Sequence, residues 1–165
     1  MGRPHDRIAH CMEGRRIFSA LSVEENLLIA ARHITQADRK ARLGEICGLF
    51  PALPNRRDNA GTSLSGGEQQ MLAISRALMS RPRLVIFDEI SLGLAPVVID
   101  RLYEALRMLR QNGLTMLIIE QDIERALDLV DRAFVIERGR LALSGTAIEI
   151  RSDHRLRQLY LGEAE

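Results

Sequence analysis

The sequence is poor in the residues that mark extracellular and metal-stapled proteins. It has no tryptophan, aromatic residues make up only 4% of the chain, and two of the 165 residues are cysteines. Cys11 and Cys47 do not form a C-x-x-C pair, so neither a disulfide scaffold nor a zinc ribbon is expected. We therefore expect a protein of a reducing compartment, the cytoplasm.

Long apolar runs and an excess of one charge are also missing. The longest apolar runs, such as residues 114–119, are far shorter than the roughly 20 residues of a membrane-spanning helix. The first seven residues are polar and lack the apolar stretch of a secretory signal. A net charge of +1, with both signs spread along the chain, gives no reason to expect nucleic acid or an anionic membrane as a direct partner. The 46% hydrophobic content fits a single globular domain.

Helical patterns dominate the first half of the chain. Apolar periodicity predicts helices over residues 23–34 and 36–50, followed by a loop rich in Pro, Asn, Arg and Gly over residues 51–61. A third helix is predicted to begin just after two glycines and to run to about Ser80. Its apolar stripe is interpreted as core and consists of Met71, Ile74 and Leu78. About residues 19–80 are thus predicted to form a small helical subdomain.

The second half has the alternating pattern of successive βα units around a parallel sheet. Continuous apolar runs at residues 84–87 and 114–119 are typical of strands covered on both faces, and residues 133–137 predict another strand. A helix is predicted to start at Pro96 and to have its C-cap at Gly113. This α/β part is predicted to span about residues 82–145.

Shorter elements complete this half. Asp122 is predicted to cap a helix, and Gly139 marks a hairpin turn into residues 141–143. One or two C-terminal helices are predicted within residues 146–165. Their packing side is expected to carry Leu156, Leu159 and Tyr160.

The string Leu-Ser-Gly-Gly-Glu-Gln-Gln at residues 64–70 combines a helix start with a candidate anion site. Gly66 and Gly67 let a backbone approach a ligand closely, and the free N–H groups of the following helix favour an anion there. Ser65 can add a hydroxyl donor to the same anion. The residues also fit a plain N-cap, because Glu68 lies three residues after Ser65 and completes a capping box. Both interpretations can hold at once.

Asp88 and Glu89 place two adjacent carboxylates at the end of a predicted strand. In open α/β sheets, ligands bind beyond the carboxyl ends of the strands. A strand-end Asp helps to hold Mg²⁺ in phosphoryl-transfer sites, and a neighbouring carboxylate can orient or deprotonate the attacking water. Asp88 suits the first role and Glu89 the second, whereas the alternative is a solvated pair of acids. The phosphate-loop pattern G-x-x-x-x-G-K-[ST] does not occur in the sequence.

Together these strings resemble the ATP-binding subunits of ABC transporters. Residues 64–70 resemble the ABC signature motif, residues 84–89 resemble Walker B, and residues 91–96 resemble the segment that follows it. Three further strings are similar to the branch that serves branched-chain amino-acid transporters, namely residues 13–18, 23–27 and 119–122. The resemblance runs from about residue 8 to residue 162. It implies an α/β fold, a truncated P-loop NTPase of the ABC ATPase type with a parallel sheet core and an α-helical subdomain.

The resemblance also implies roles for single residues. Glu13 takes the Q-loop position, and the helical subdomain after it would contact membrane-spanning transporter subunits. Asp88 would hold Mg²⁺, and Glu89 and Gln121 would be catalytic residues. Gln121 takes the switch position and would act by hydrogen bonding alone, because Gln cannot become a cation. The signature would contact ATP held by another ABC ATP-binding subunit, in a homodimer or heterodimer, through Leu64, Ser65, Gly66, Gly67 and Gln69.

The sequence departs from the family pattern at three places. Met12 and Ile90 stand where the family usually has proline, and each is a small local change. The larger departure is that the first strands, the phosphate loop and the aromatic residue that stacks on adenine are absent. The resemblance therefore implies an N-terminally truncated subunit that is inactive alone, with sheet flanks and edges left exposed.

The main functional expectation is a subunit that hydrolyses ATP to power import of branched-chain amino acids or related small substrates. It would lie on the inner face of the cell membrane through its partner subunits, with no nucleic-acid partner. One alternative is an inactive gene fragment or mis-called start, and another is a non-catalytic partner that donates only its signature. A soluble non-transporter ABC ATPase is the third alternative, although its usual long insertions or paired cassettes are missing.

The remaining polar candidates receive no role. The four histidines lack metal-ligand spacing and are His5, His10, His33 and His154. The basic pairs Arg15-Arg16 and Arg56-Arg57 are interpreted as parts of a solvated face.

Overall fold

The structure, a computed structural model, describes residues 8–32 and 34–161. The chain divides into two compact units, a first unit up to Glu120 and a second unit from Gln121 onward. The three parts predicted from the sequence follow other limits and remain a prediction.

A three-stranded parallel sheet lies in the first unit. It consists of β1 (Ile8–Cys11), β2 (Leu84–Asp88) and β3 (Thr115–Ile119), with β2 in the middle. Phe87 pairs with Cys11 on one side and with Ile118 on the other. The parallel sheet and the strands at residues 84–87 and 114–119 confirm the prediction. β1 was not predicted, because four residues that include a polar histidine give too short a pattern.

The two faces of this sheet differ in burial. Side chains alternate along a strand, so Cys11, Val85 and Phe87 share one face, and all three are buried. The opposite face exposes large apolar side chains from the outer strands, including Ile8 at 61% and Leu117 at 48%. The prediction that residues 114–119 are covered on both faces is therefore wrong. β3 is an edge strand in the described sheet, and an apolar run alone does not reveal whether its second face is covered.

Four helices accompany the sheet within the described residues of the first unit. They are α1 (Val23–Ala30), α2 (Gln36–Leu49), α3 (Gly66–Met79) and α4 (Pro96–Gln111), with short 3-10 turns at Pro54–Arg56 and Gly61–Ser63. α1 ends four residues before the predicted limit, and Thr35 then caps α2. The predicted core stripe of α3 is buried. Within the described residues, none of the helices has the length and apolar content needed to cross a membrane.

As far as residue 161, the second unit combines a hairpin with three short helices. Its elements are α5 (Ile123–Leu127), β4 (Arg132–Glu137), β5 (Arg140–Thr146), α6 (Ala147–Ser152) and α7 (His154–Leu161). Arg138 and Gly139 form the hairpin turn, both with positive φ, as a two-residue turn of this hand requires. The buried core cluster consists of Leu127, Leu143, Ile150 and Leu156.

The predicted C-terminal helices are thus confirmed as a pair, with Leu156 packed inward. The side chains of Leu159 and Tyr160 lie outside the described part of the chain.

Candidate functional site

The start of α3 is closed by a capping box. The Ser65 hydroxyl oxygen accepts a hydrogen bond from the Glu68 backbone N–H at 3.3 Å, and Glu68 Oε2 accepts one from the Ser65 N–H at 2.8 Å. The bond from the Ser65 backbone holds the pKa of Glu68 below its ordinary value. Ser65 is exposed and its hydroxyl serves the cap as an acceptor, so its own hydrogen can be donated to an incoming anion.

The two signature glycines are the first residues of α3 rather than a segment before it. A side chain would meet a different neighbour at each of the two positions. A Cβ atom built on Gly66 would lie 3.0 Å from Arg15 Nη2, the end of a flexible side chain. A Cβ atom built on Gly67 would lie 2.7 Å from Val98 Cγ1 of α4. Gly67 is therefore required by helix packing, whatever it contributes to a ligand.

Gln69 ties the start of α3 to the loop that precedes it. Its Nε2 donates to the backbone oxygens of Gly61 and Leu64, both at 3.2 Å, and its Oε1 accepts from Arg15 Nη1 at 3.1 Å. Two acceptors on one side and one cationic donor on the other fix which way the amide points. Leu64 itself is buried at 6% exposure. Leu64 and Gln69 thus hold the loop in shape from beneath.

Arg15 is a site residue that the sequence interpretation missed. It is half-buried against Gln69 and Gly66, so its assignment to a solvated face is wrong. Arg56 and Arg57 are exposed as expected. A basic pair in a sequence does not show which guanidinium turns inward, although Gly14 just before Arg15 signals a tight turn.

We call residues 13–16 the Glu13 turn, which follows β1 and carries the exposed Glu13. Arg15 and Arg16 have φ values of 66° and 44°, which non-glycine residues rarely adopt. The Arg16 carbonyl accepts a hydrogen bond from Arg76 Nη1 at 2.6 Å. Two hydrogen bonds therefore anchor the turn to α3. The bond to Gln69 lies near the first residue of the helix, and the bond from Arg76 lies near its last.

The second group of candidate residues lies at the carboxyl end of β2. Asp88 is the last residue of the strand, with a side chain 33% exposed, and its Oδ2 lies 3.8 Å from Nε2 of His10. Glu89 has a φ of 46°, and its N–H donates to the Ile119 carbonyl at 2.9 Å. Ile90, which replaces the family's usual proline, is 1% exposed. The backbone at Glu89 is thus held in a sparsely populated conformation by its surroundings.

Glu120 is a second residue that the sequence interpretation missed. Its carboxylate accepts hydrogen bonds from the Ser91 N–H at 3.2 Å and from the Ser91 hydroxyl at 2.8 Å. These bonds tie the segment after Glu89 to the end of β3. The sequence signal for this role was only its place beside Gln121. Gln121 is the exposed first residue of the second unit, and its switch role remains a prediction.

The histidines have no common site in the described part of the chain. His10 lies beside Asp88, and His154 is exposed next to Asp153. His5 and His33 lie outside the described residues.

The described residues can be compared with what a Mg·ATP site requires. Within residues 8–32 and 34–161, no group of three or more His, Cys, Asp or Glu side chains is placed to hold a metal ion. Asp88 fits as one carboxylate ligand of Mg²⁺, which usually takes one or two carboxylates and completes its shell with phosphate oxygens and water. The 14-residue helix α3 offers its first N–H groups to an anion beside Ser65.

Comparison with known proteins identifies the family to which the chain is similar. The family model described as ABC transporter matches residues 1–91. The high-affinity branched-chain amino acid transport ATP-binding protein BraG of Pseudomonas aeruginosa is 44% identical over 155 residues, which are 94% of this chain and 66% of the relative. The probable branched-chain amino acid transport ATP-binding protein LivF of Archaeoglobus fulgidus is 34% identical, covering 96% of this chain and 70% of the relative.

Solved structures have the same fold. One described as the ATP-binding subunit of an ABC transporter aligns with a TM-score of 0.78 and 28% identity, over 96% of this chain and 66% of that structure. The chain thus spans about two thirds of the length of the proteins that it matches.

Proposed function

Because the chain belongs to the ABC transporter family, we propose that it acts as an ATP-binding subunit that powers import of branched-chain amino acids or related small substrates. The main support is the 44% identity with BraG along 94% of the chain. The capped and exposed start of α3 agrees with this proposal, since the first N–H groups of a helix have no partner within the helix and can bind an anion.

The proposed contact of the signature is the terminal phosphate of ATP held by another ABC ATP-binding subunit. The N-terminus of α3 carries roughly half a positive charge from its aligned peptide dipoles. Ser65 adds a hydroxyl donor, and Gly66 and Gly67 add backbone N–H groups. Leu64, buried below the loop, and Gln69, with three hydrogen bonds, keep these donors in place.

Two of the proposed hydrolytic residues are adjacent, since Asp88 ends β2 and Glu89 follows it. Asp88 would hold Mg²⁺, which in such sites neutralises charge on the phosphates. Glu89 would accept a proton from the attacking water, and the hydrogen bond from its N–H to the Ile119 carbonyl fixes its backbone for that task. Gln121 would contact the terminal phosphate through its amide.

The proposed partners are membrane-spanning transporter subunits and a second ABC ATP-binding subunit. Contact with the membrane subunits is assigned to the helical region after Glu13, which includes α1 and α2. Through these subunits the chain would lie on the inner face of the cell membrane. Nucleic acid is not a proposed partner, in keeping with the near-neutral charge.

A second candidate function is a partner that donates its signature without hydrolysing ATP itself. The observation that favours it is the capped and exposed start of α3, which could contact ATP bound by another subunit without any other residue of this chain. In that case Ser65 would keep its role, whereas Asp88 and Glu89 would not contribute to turnover.

Calorimetry with Mg·ATP tests the proposal. The chain is titrated alone, full-length BraG is titrated alone, and an equimolar mixture is titrated last. We expect no binding by the chain alone and tighter binding by the mixture than by BraG. Equal affinity of the mixture and of BraG alone would overturn the contact through the signature. Binding by the chain alone would reveal a phosphate site other than the one proposed.

A further inference from the structure

We propose that Arg15 is a positioning residue that couples the Glu13 turn to the phosphate-contacting loop at the start of α3. The inference rests on the proposed function, because it assigns the loop at residues 64–67 to a phosphate. It adds a residue that neither the signature motif nor Walker B contains. The link runs from the turn through one guanidinium to one side-chain amide.

The first step is the bond between Arg15 and Gln69. A hydrogen bond from a charged donor is stronger than one between neutral groups, and this bond is partly buried. The other end of the same amide holds the backbone oxygens of Gly61 and Leu64. Removing Arg15 leaves Gln69 Oε1 without its cationic donor and frees the amide to rotate. The loop between Gly61 and Ser65 would then lose the anchor beneath it.

Arg15 also occupies the space beside Gly66 that a side chain at this position would need. Both terminal nitrogens of Arg15 lie within 3.1 Å of where a Cβ atom of Gly66 would stand. The guanidinium therefore lies directly against the first residue of α3 and next to Ser65. A displacement of Arg15 changes the surroundings of the N–H groups that would contact phosphate.

The third step is the rigidity of the turn that carries Arg15. Positive φ values at Gly14, Arg15 and Arg16 curl the backbone tightly, and the Arg16 N–H bonds to the Gly14 carbonyl at 2.7 Å. Arg76 of α3 donates to the Arg16 carbonyl and stacks its guanidinium 4.5 Å from the centre of the Phe18 ring. A movement of Glu13 is thus transmitted to Arg15 rather than absorbed by a flexible loop.

The test compares Arg15→Gln, Arg15→Lys and the control Arg16→Gln in the full chain. Arg16 is the matched control, since its side chain is exposed and lies on the same turn. The first measurement uses NMR of the chain alone and follows the side-chain amide of Gln69 and hydrogen exchange at the Leu64 N–H. The second measures the affinity for Mg·ATP of each variant mixed with full-length BraG. Thermal unfolding is recorded for all variants.

We expect Arg15→Gln to shift the Gln69 side-chain resonance and to speed exchange at Leu64 about tenfold, the effect of losing one charge-assisted hydrogen bond. The affinity of the mixture for Mg·ATP should fall by about the same factor. The melting temperature of Arg15→Gln should stay close to that of Arg16→Gln. Arg15→Lys keeps the charge without the planar fork and should recover part of both effects. Equal behaviour of Arg15→Gln and Arg16→Gln in the NMR measurement would overturn the inference.

The two measurements separate the inference from the proposed function. If wild type and BraG show no joint capture of nucleotide, the proposed function fails, and with it the phosphate role of the loop. The NMR comparison still decides whether Arg15 positions the loop. If the mixture of this chain and BraG binds Mg·ATP more tightly than BraG alone, and Arg15→Gln leaves that affinity unchanged, then Arg15 does not contribute to nucleotide binding. In that case only the inference is overturned.

Discussion

Left-handed backbone at non-glycine residues occurs at both groups of candidate site residues. In the described chain such residues are Arg15 and Arg16 in the Glu13 turn, Glu89 after β2, and two arginines in other turns. A residue in this region costs about 1–3 kcal/mol and persists where its surroundings over-determine it. At Glu89 the surroundings are the Ile119 carbonyl and the buried Ile90. The proposed base is thus held by neighbours rather than by its own preference.

The two signature glycines should differ in their tolerance of a methyl group. Gly67→Ala drives a Cβ atom into Val98, so we expect a loss of about 1–3 kcal/mol in the free energy of unfolding. Gly66→Ala meets only the movable end of Arg15 and should cost less than about 1 kcal/mol. Urea denaturation of the purified variants measures both values.

Val98→Ala provides the control for this pair. In combination with Gly67→Ala, Val98→Ala removes the colliding methyl groups and should recover part of the lost free energy of unfolding. In combination with Gly66→Ala, it should recover none. Equal losses for both glycine variants, or no recovery with Val98→Ala, would contradict the packing role of Gly67.

Cys11 should be chemically inert in the folded chain. It is 3% exposed, and burial raises the pKa of its thiol to about 12. The thiol therefore stays protonated at pH 8, and only the thiolate reacts with alkylating reagents. We expect iodoacetamide to modify the half-buried Cys47 at least about tenfold faster than Cys11 in buffer, and both at similar rates in denaturant. Mass spectrometry of the digested chain measures the ratio, and equal rates in buffer would contradict the burial of Cys11.

The sequence located most candidate residues but not their contacts. Ser65, Gly66, Gly67, Asp88 and Glu89 were found because fixed strings carry them. Arg15 and Glu120 were missed because their partners lie 54 and 29 residues away along the chain. Long-range side-chain contacts leave no local sequence pattern. A basic or acidic residue is therefore predicted to be a surface residue until its neighbours in the fold are known.

At the scale of elements, α3 combines the strongest sequence signals with the largest share of the candidate site. Its N-cap, its capping-box acid and its buried stripe all agree with the helix that forms. Such agreement between local signals and tertiary packing is typical of well-specified elements. The end of α1 and the strand β1 were less predictable, since a helix end depends on tertiary context and a four-residue strand has little periodicity.

The Glu68 cap should make stability depend on pH. The folded pKa of Glu68 lies below the ordinary 4.5, so the carboxylate contributes stability above that pH, and the contribution is lost as pH falls through the lowered pKa. We expect Glu68→Gln to lower the melting temperature by about 2 °C at pH 7 and by progressively less as the pH falls below 4.5. Differential scanning calorimetry at pH 7 and near pH 3 measures the change.

Glu104→Gln on the exposed side of α4 is the control for this pH dependence. It should leave the melting temperature unchanged at both pH values. A loss at pH 3 as large as the loss at pH 7 would show that Glu68 acts through packing and not through its charge.

At the scale of the whole molecule, the open face of the sheet should govern solubility. Ile8 on β1 and Leu117 and Ile119 on β3 expose apolar side chains on this face, on either side of the central strand β2. Contiguous apolar surface promotes association. We expect Leu117→Gln to reduce binding of an apolar dye and light scattering at micromolar concentration. Fluorescence and static light scattering measure these two effects.

Met108→Gln on α4 is the control, because Met108 is equally exposed, at 47%, but lies on a helix. It should change dye binding less than Leu117→Gln does. The same reduction from both variants would mean that total apolar area, rather than the sheet face, determines association.

The fold class was predictable as a whole because the motifs occur in the order and spacing of one family. The chain's α/β architecture and parallel sheet confirm that expectation. Exposed flanks and edges of the sheet were expected from the resemblance, whereas the boundary at Glu120 was not predictable from local patterns, since it depends on which elements pack together in space. Composition gave no information about either.

Photolabelling at the terminal phosphate tests the central claim most directly. Full-length BraG is loaded with an ATP analogue that carries a photoreactive group on its γ-phosphate, mixed with this chain and irradiated. We expect labelling of this chain on the peptide that contains Ser65 and Gln69. Labelling confined to BraG, or on a different peptide of this chain, would contradict it.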